Sequence, residues 1–324
     1  MTRATRRTVL AAGLTLVGTG LAGCYRVSPV IGSGRRPSTP PSLAPERSRV
    51  AWLETELARQ QAALGQSGWA AAHQRHAEVL RQADPLGGRN ADSTPVIEAS
   101  PVPTSATASP DRGHTGERNE GDQGGSALGR TTEQVCRQAC LAAPDPSWVL
   151  LWASLATFAA AQQAVSAKTA TIPPPTASQV SPVDIGAQDL TAARQALLSR
   201  YNALVTGLEW GLGRLASGST WHTWARDRLT TVTAQRAGLR ATLRASSASP
   251  VAAVPGYPMA ATPSTAASAK ELWSDLELGV LGGLGRVTAA SQPDDRVAGI
   301  EAMTAQVTVL GQLGTGVPVW PGWV

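Results

Sequence analysis

The chain has 324 residues, of which 42% are hydrophobic and 16% are charged, with a formal net charge of +5. Its 28 basic and 23 acidic residues are too evenly balanced to indicate nucleic-acid binding. The sequence also lacks a Gly-x-Ser-x-Gly nucleophile motif, a P-loop, a dinucleotide fingerprint and the C-x-x-C spacing of zinc and redox motifs. No enzyme class is therefore indicated, and the sequence is most informative about location and architecture.

The first 23 residues have the features of an export signal. Arg3, Arg6 and Arg7 precede residues 8–23, which contain no charged side chain. As a helix, this stretch would rise about 24 Å, short of the ~30 Å hydrocarbon core of a bilayer. It therefore fits a signal peptide better than a membrane span. The arginine pair in "TRRTVL" resembles a twin-arginine export signal.

The uncharged stretch ends at Leu21-Ala22-Gly23-Cys24, which resembles the lipobox of bacterial lipoproteins. The resemblance implies that the sulfur of Cys24 receives a diacylglycerol and that cleavage leaves Cys24 as the mature N-terminus. We therefore expect an exported lipoprotein anchored to the outer face of the cell membrane; a buried N-terminal helix is the alternative. Cleavage would remove three arginines and no acidic residue, so the net charge would fall from +5 to +2.

The following regions alternate between low-complexity and helical sequence. Residues 24–45 are rich in Pro, Ser, Gly and Arg and predict a tether. Residues 46–83 predict a helical segment that is interrupted near residues 65–68. Residues 84–130 carry almost no large apolar side chain, which predicts a disordered linker.

Two histidines stand out on the first helical segment. His73 and His76 are three residues apart, and Glu78 follows closely. We interpret the three as a solvated polar face of the helix; a transition-metal site is the alternative.

Residues 131–168 predict a second helical segment, which contains Cys136 and Cys140. The i, i+4 spacing places both sulfurs on one helix face, with Cα atoms ~6 Å apart, within the range of a disulfide. Export to an oxidising compartment favours a local disulfide; two free buried thiols are the alternative. A metal site is less favoured because no histidine is near in sequence. The Pro-rich residues 169–188 predict a linker.

Residues 189–324 predict four helices, each with an apolar stripe at helical spacing. The first helix has the longest stripe, formed by Leu190, Ala193, Leu197, Tyr201, Leu204, Leu208, Leu212 and Leu215. Because each stripe must meet another to leave water, the region predicts a four-helix bundle that folds alone. The whole chain is therefore predicted to be all-α.

Three stretches of this region resemble the C-terminal ferritin-like domain of uncharacterised actinobacterial proteins. They are "RYNALVTGLEWGLGRLA", "VPGYPMAATPSTAASAKELWSDLELGVLGGLGRV" and the closing "GTGVPVWPGWV". The best-matched positions are Trp210-Gly211-x-Gly213, Tyr257, Pro263 and Leu276-Glu277-x-Gly279-Val280. The resemblance implies a ferritin-like four-helix bundle, here with additional N-terminal helices and long disordered linkers. It implies no assigned function.

A ferritin-like fold raises the question of a di-iron centre, which needs inward-facing glutamates and two Glu-x-x-His pairs. None of the bundle glutamates has a histidine three residues later. The one histidine of the region, His222, lies beside Trp221 and Trp224, and we interpret it as a packed residue. We therefore predict no metal, no cofactor and no catalytic residue.

Two further features of the bundle sequence leave alternatives open. The triplet Asp275-Leu276-Glu277 could place a carboxylate at the seam between helices, but no His or Lys beside it indicates general acid–base chemistry. The tail residues Trp320 and Trp323 either close the end of the bundle or form a surface for a membrane or a partner.

Two functions are consistent with these features. The first is a lipid-anchored, non-catalytic interaction or scaffold module of the cell envelope, which contacts the membrane through Cys24 and an envelope protein partner. The alternative is a ligand- or metal-binding protein or a degenerate ferritin-like enzyme. We predict no nucleic-acid partner.

Overall fold

Eight α-helices and no β-strand make up the part of the chain that the structure, a computed structural model, describes. This part comprises residues 44–87, 120–175, 181–254, 256–257 and 263–323. The helices are α1 (Pro45–Ala63), α2 (Ser67–Arg81), α3 (Glu120–Ala142), α4 (Pro146–Ser166), α5 (Leu190–Leu212), α6 (Thr220–Ala245), α7 (Ala266–Ala290) and α8 (Pro293–Gln312). The predicted all-α fold is confirmed.

Local sequence explains where these helices begin and end. Gly65, with φ +71°, makes the turn between α1 and α2, where the sequence predicts an interruption. Asp145 caps α4 by accepting hydrogen bonds from the backbone N–H groups of Ser147 and Trp148. Ser219 caps α6 by accepting a hydrogen bond from the backbone N–H of His222. Helix α3 begins at Glu120, earlier than the predicted start at residue 131. The sequence predicts the later start because the composition of the first turns of α3 favours a linker.

The helices pack as two hairpins against a group of four. Helix α1 packs against α2, and α3 packs against α4. In the second half, α5 packs against both α6 and α7, and α7 packs against α8. Helix α4 also packs on α7 and α8, and α3 contacts α1 and α8. The predicted helical segments 46–83 and 131–168 are thus joined to the C-terminal four helices.

Two clusters of buried apolar side chains hold these helices together. The first core combines α1–α4 with one face of α7 and α8 and with residues 317–323. The second core lies between α5, α6 and α7. In the first core, Trp320 and Trp323 are 1% and 4% exposed, so both tail tryptophans pack inside the protein. The second core is centred on Trp273, Leu204 and Leu208.

Helix α4 lies at the centre of the first core. Of the helices described, it is the one long and apolar enough to cross a membrane by length and composition. Most of its residues are buried against other helices, and Phe158, Leu151 and Leu155 are almost fully buried. Burial within the protein accounts for its apolar sequence, because a core helix is hydrophobic on most of its circumference.

Polar contacts tie the first hairpins to α8 and to the following segment. Arg296 of α8 donates to the carbonyl oxygens of Cys140 at 2.7 Å and Ala143 at 2.8 Å, which satisfies the C-terminal end of α3. In the predicted linker 169–188, Ile172 is buried in the first core and Asp184 accepts from the hydroxyl of Ser147 at 2.7 Å. The described part of this linker is therefore docked on the fold.

Candidate functional site

The strongest cluster of chemically active side chains lies between α1 and α2. Glu54 comes from the middle of α1, and His73 and His76 lie one turn apart on α2. Their exposed fractions are 1%, 0% and 0%. The carboxylate oxygen and one nitrogen from each imidazole all lie within 4.8 Å of one another. We call these three residues the Glu54 cluster.

One carboxylate oxygen joins the two imidazoles. Glu54 Oε2 lies 2.6 Å from His73 Nδ1 and 3.1 Å from His76 Nδ1. The opposite nitrogen of His76, Nε2, lies 2.7 Å from the carbonyl oxygen of Val319. His73 Nε2 is buried and has no hydrogen-bond partner among the described residues.

These contacts determine where the protons lie. A carbonyl oxygen can only accept, so His76 Nε2 carries a hydrogen. Burial raises the pKa of Glu54, but the attraction and hydrogen bonds of His76 and His73 outweigh it and lower the pKa to about 2. Glu54 is therefore ionised and both Nδ1 atoms donate to it. His76 thus donates from both ring nitrogens, whereas His73 donates from Nδ1 alone.

Aromatic side chains surround the cluster. The Phe158 ring meets the rings of His76 and His73 at centroid distances of 4.6 and 5.4 Å. Trp320 lies 4.6 Å from the His76 ring, and Trp69 packs against Phe158 at 5.1 Å. The charges are therefore held in an apolar enclosure formed by α2, α4 and the C-terminal segment, where an ion pair requires close partners.

The interpretation of the histidines as a solvated polar face is wrong for both of them. His73 and His76 face α1, where they are fully buried, whereas Glu78 lies on the exposed side of α2. Their carboxylate partner is Glu54, which sequence reasoning missed. A signal was present, because Glu54 falls within the stripe of Val50, Leu53 and Leu57 on the apolar face of α1.

A second buried carboxylate lies among α6, α7 and α8. Glu277 is 0% exposed, and its two oxygens accept from Arg228 Nε and Nη2, both at 2.7 Å. Gln306 of α8 donates to Glu277 Oε2 at 2.6 Å. We call these three residues the Glu277 network. The carboxylate expected at the seam from the triplet 275–277 is indeed there, with an arginine as its partner.

This arrangement does not fit a di-iron centre, the possibility that the ferritin-like resemblance raises. Such a centre needs several carboxylates and histidines facing the middle of the bundle. Here the one buried glutamate of the four helices is bound at both oxygens by a guanidinium, whose permanent positive charge repels a cation. His222 lies on α6 near its N-terminus and belongs to no group of metal-ligating side chains in the described residues.

The remaining predicted site residues fall into two groups. Cys24 and the signal residues Arg6, Arg7, Leu21, Ala22 and Gly23 lie outside the described residues. Cys136 and Cys140 are both buried, free thiols, as in the alternative to a disulfide. Burial, then the Glu54 carboxylate, raises the pKa of Cys136 well above its usual value. Burial also raises that of Cys140 to about 11, against the opposing effect of Arg296. Both are therefore held as unreactive thiols.

Comparison with known proteins gives one match. Residues 193–323 match a family described as a domain of unknown function (DUF4439). The matched region begins within α5 and extends through α8 to the C-terminal segment. It contains Val319, whose carbonyl oxygen contacts His76, but none of the three residues of the Glu54 cluster. None of the curated proteins and none of the solved structures matches the chain.

The structure explains one of the sequence features of the matched region. Gly211, in Trp210-Gly211-x-Gly213, lies against the indole of Trp273, and a Cβ atom there would come within 2.4 Å of the ring. Trp273 Nε1 in turn donates to the carbonyl oxygen of Gly207 at 3.0 Å. The absence of a side chain at Gly211 lets α5 and α7 approach closely around a buried tryptophan.

Proposed function

We propose that the protein is a lipid-anchored protein of the cell envelope, whose helical fold serves as a non-catalytic interaction module. The observation that carries the anchor is the stretch Leu21-Ala22-Gly23-Cys24 at the end of an uncharged run that follows Arg6 and Arg7. A cationic start, an apolar run and small residues before the cleavage point together form a signal that an ordinary helix rarely imitates.

The proposed anchor defines how far the fold can stand from the membrane. Helix α1 begins at Pro45, which leaves residues 25–44 between the lipidated cysteine and the fold. Fully extended, these residues span at most about 70 Å. The tether would therefore keep the helices within reach of a partner in the envelope.

Two observations on the C-terminal helices bear on whether they form an enzyme. The pairing of α5 with α6 and α7, and the long connection between α6 and α7, agree with a ferritin-like bundle. Its buried charges, however, neutralise one another in the Glu277 network. We therefore assign no reaction to the bundle. A metal-binding role is favoured by the Glu54 cluster alone, which lies outside the bundle.

Membrane fractionation of Cys24→Ala tests the anchor. Wild-type protein should be found in the membrane fraction and carry diacylglycerol on its N-terminal cysteine, as detected by mass spectrometry. The variant should be found in the soluble fraction or as uncleaved precursor, because no sulfur is available for lipidation. Ser28→Ala, four residues along the tether, is the matched control and should behave as wild type. Equal membrane partitioning of wild type and Cys24→Ala would refute the anchor.

The export route and the interaction role need separate measurements. Replacing Arg6 and Arg7 together by lysine should block export if the twin-arginine route is used, and normal export would refute that route.

For the interaction role, cross-linking in intact cells should capture one envelope protein with wild type, and capture should fall in Cys24→Ala. Failure to capture any envelope protein reproducibly would contradict the module.

A further inference from the structure

From the Glu54 cluster we infer that the first core is built around a binding site for one divalent first-row transition-metal ion, held by Glu54, His73 and His76. This inference is independent of the lipid anchor and concerns a different region from the domain matched by residues 193–323. It replaces the interpretation that the chain has no metal ligands.

The ligand set has the chemistry of a transition-metal site. Two imidazoles and one carboxylate bind zinc in hydrolases and iron(II) in oxygenases, whereas calcium and magnesium prefer oxygen ligands. All three side chains converge within 4.8 Å and come from two packed helices rather than from loops. Donors fixed on helices lose little freedom when an ion binds.

The distances are compatible with an ion after a small adjustment. Ligand atoms bound at roughly 2.0–2.2 Å to one ion lie about 3–3.5 Å apart, depending on the coordination angle. The 3.1 Å separation between Glu54 Oε2 and His76 Nδ1 falls within this range. The 2.6 Å contact between Glu54 Oε2 and His73 Nδ1 must open by about 0.4–0.9 Å when the metal takes the place of the hydrogen between them.

The surroundings of His76 carry a second, independent mark of a metal ligand. Metal-binding histidines commonly donate their other ring N–H to a carboxylate or a backbone carbonyl, which fixes the ring orientation. His76 Nε2 makes this contact with Val319 O at 2.7 Å. His76 can therefore present Nδ1 to an ion without losing its hydrogen bond to the C-terminal segment.

The charges of the cluster also favour exchange of a proton for an ion. Both Nδ1 atoms contact the Glu54 carboxylate, and His73 Nε2 is buried with no partner among the described residues. Binding through both Nδ1 atoms would release one proton to solvent from His76, which keeps its hydrogen on Nε2, and would move the hydrogen of His73 from Nδ1 to Nε2. Both rings would then be neutral ligands, the two Nδ1–H bonds break, one N–H bond forms at His73 Nε2, and no redox step is involved.

The enclosure points to a structural rather than a catalytic role for the ion. Phe158, Trp69 and Trp320 pack around the cluster, and each ligand is almost fully buried. The ion would join α1 and α2 and, through Val319, would hold the C-terminal segment in the first core. Because the ligands are enclosed, loading should be most efficient when the chain folds in the presence of the metal.

Cobalt(II) provides a direct readout of the site. The purified full chain is unfolded in denaturant with a chelator, freed of the chelator, and refolded with increasing Co²⁺. One equivalent per chain should bind and give visible absorption bands typical of nitrogen and oxygen ligation. In Glu54→Gln, which preserves the side-chain shape but removes the charge, the affinity should fall by at least ~100-fold.

Glu78→Gln is the matched control, because it makes the same chemical change on an exposed residue of α2, the helix that carries both histidines. It should bind Co²⁺ with unchanged stoichiometry and affinity. Hydrogen exchange adds a readout specific to this site: the metal should slow exchange of backbone amides in residues 317–323 of wild type. A bound ion elsewhere on the chain would leave that exchange unchanged.

Three results would overturn the inference. Wild type that refolds and binds no stoichiometric metal would show that the cluster is only a hydrogen-bonded ion pair. Equal affinity in wild type and Glu54→Gln would place the ion elsewhere. If Glu54→Gln does not fold, X-ray absorption of the zinc-loaded wild type decides the matter, since a spectrum without scattering from two imidazoles would exclude this ligand set.

Discussion

Among the described residues, each half of the protein has one fully buried glutamate, and the two have different partners. Glu54, in the first core, is 1% exposed and meets two imidazoles. Glu277, beside the second core, is 0% exposed and meets a guanidinium and an amide. Both carboxylates are therefore paired, as buried charges must be to avoid a large desolvation cost.

The two partners differ in whether they can lose a proton. Arginine keeps its proton at any pH at which the protein is folded, so the Glu277 network has one state and acts as a fixed link between helices. Imidazole can lose a proton and then offers a lone pair to a cation. The Glu54 cluster thus has an alternative state that the Glu277 network lacks, although the two have similar burial.

The largest expected effect comes from separating the two cores. The sequence alone predicts that residues 189–324 fold independently, but the first core takes side chains from α7, α8 and the C-terminal segment, including Leu281, Ile300, Met303, Val307, Leu310, Trp320 and Trp323. Exposing each large side chain costs about 1.5–3 kcal/mol. The seven together cost about 10–20 kcal/mol, which is as large as the 5–15 kcal/mol typical of the stability of a whole domain.

A fragment of residues 189–324 should therefore aggregate or bind hydrophobic dyes, whereas residues 44–324 should melt cooperatively. Circular dichroism and calorimetry of the two fragments provide the test. A single cooperative melt of the shorter fragment would mean that the second core alone stabilises these four helices and that the two cores belong to separate domains.

The next largest effect should follow from removing the guanidinium. Arg228→Met leaves the Glu277 carboxylate buried with only Gln306 as its partner, which should lower the free energy of unfolding by about 3–5 kcal/mol. The double variant Arg228→Met/Glu277→Leu removes both charges and should recover most of this loss. Urea unfolding measures both variants. A double variant no more stable than the single would contradict the assignment of the loss to an unpaired charge.

Glu54→Gln should change how stability depends on pH. The pKa of Glu54 falls from 4.5 to about 2 on folding, so the native state holds its proton less tightly than the unfolded chain. A group with a lowered pKa contributes stability above its unfolded value, and that contribution disappears as the pH falls through the folded value. Wild type should therefore lose on the order of 3 kcal/mol more than Glu54→Gln between about pH 5 and pH 2.

Urea unfolding of both proteins, in the presence of a chelator, gives the two pH profiles. The other carboxylates titrate in both proteins and cancel in the difference. Parallel profiles would show that the carboxylate of Glu54 is not ionised in the native state. The assignment of both Nδ1 atoms as hydrogen-bond donors to an ionised Glu54 would then be wrong.

The sequence predicted the helices better than the contacts between them. Periodicity and capping residues such as Ser219 are local, so they place α5–α8 closely. The partner of His73 is 19 residues away on another helix, and hydrophobic periodicity does not show which two helices pack together. Even so, Glu54 within the apolar stripe of α1 could have been recognised as a buried charge in need of a partner.

The same limitation explains why the sequence predicts linkers before α5 where the structure has helical or docked residues. Composition predicts a disordered linker over residues 84–130, but helix α3 already begins at Glu120. The Pro-rich segment after α4 also predicts a free linker, yet Ile172 is 6% exposed and packs against Gly311 of α8. Docking of such segments depends on tertiary contacts that no local pattern encodes.

The smallest effect should come from Glu78, the carboxylate closest in sequence to the two histidines. Its side chain is 49% exposed, accepts from Gln74 Nε2 at 3.1 Å and lies 3.6 Å from Arg75 Nη1. Exposed pairs of this kind contribute less than about 0.5–1 kcal/mol, because solvent screens them and ordering the side chains costs entropy. Glu78→Gln should thus change the free energy of unfolding by no more than about 0.5 kcal/mol, with the pH profile of wild type retained.

Measuring it beside Glu54→Gln compares two carboxylates that differ in burial and in partners but undergo the same chemical change. A loss of more than about 1 kcal/mol, or a flattened pH profile, would mean that the residues adjacent in sequence form the functional group and that α2 presents its histidines to a different face.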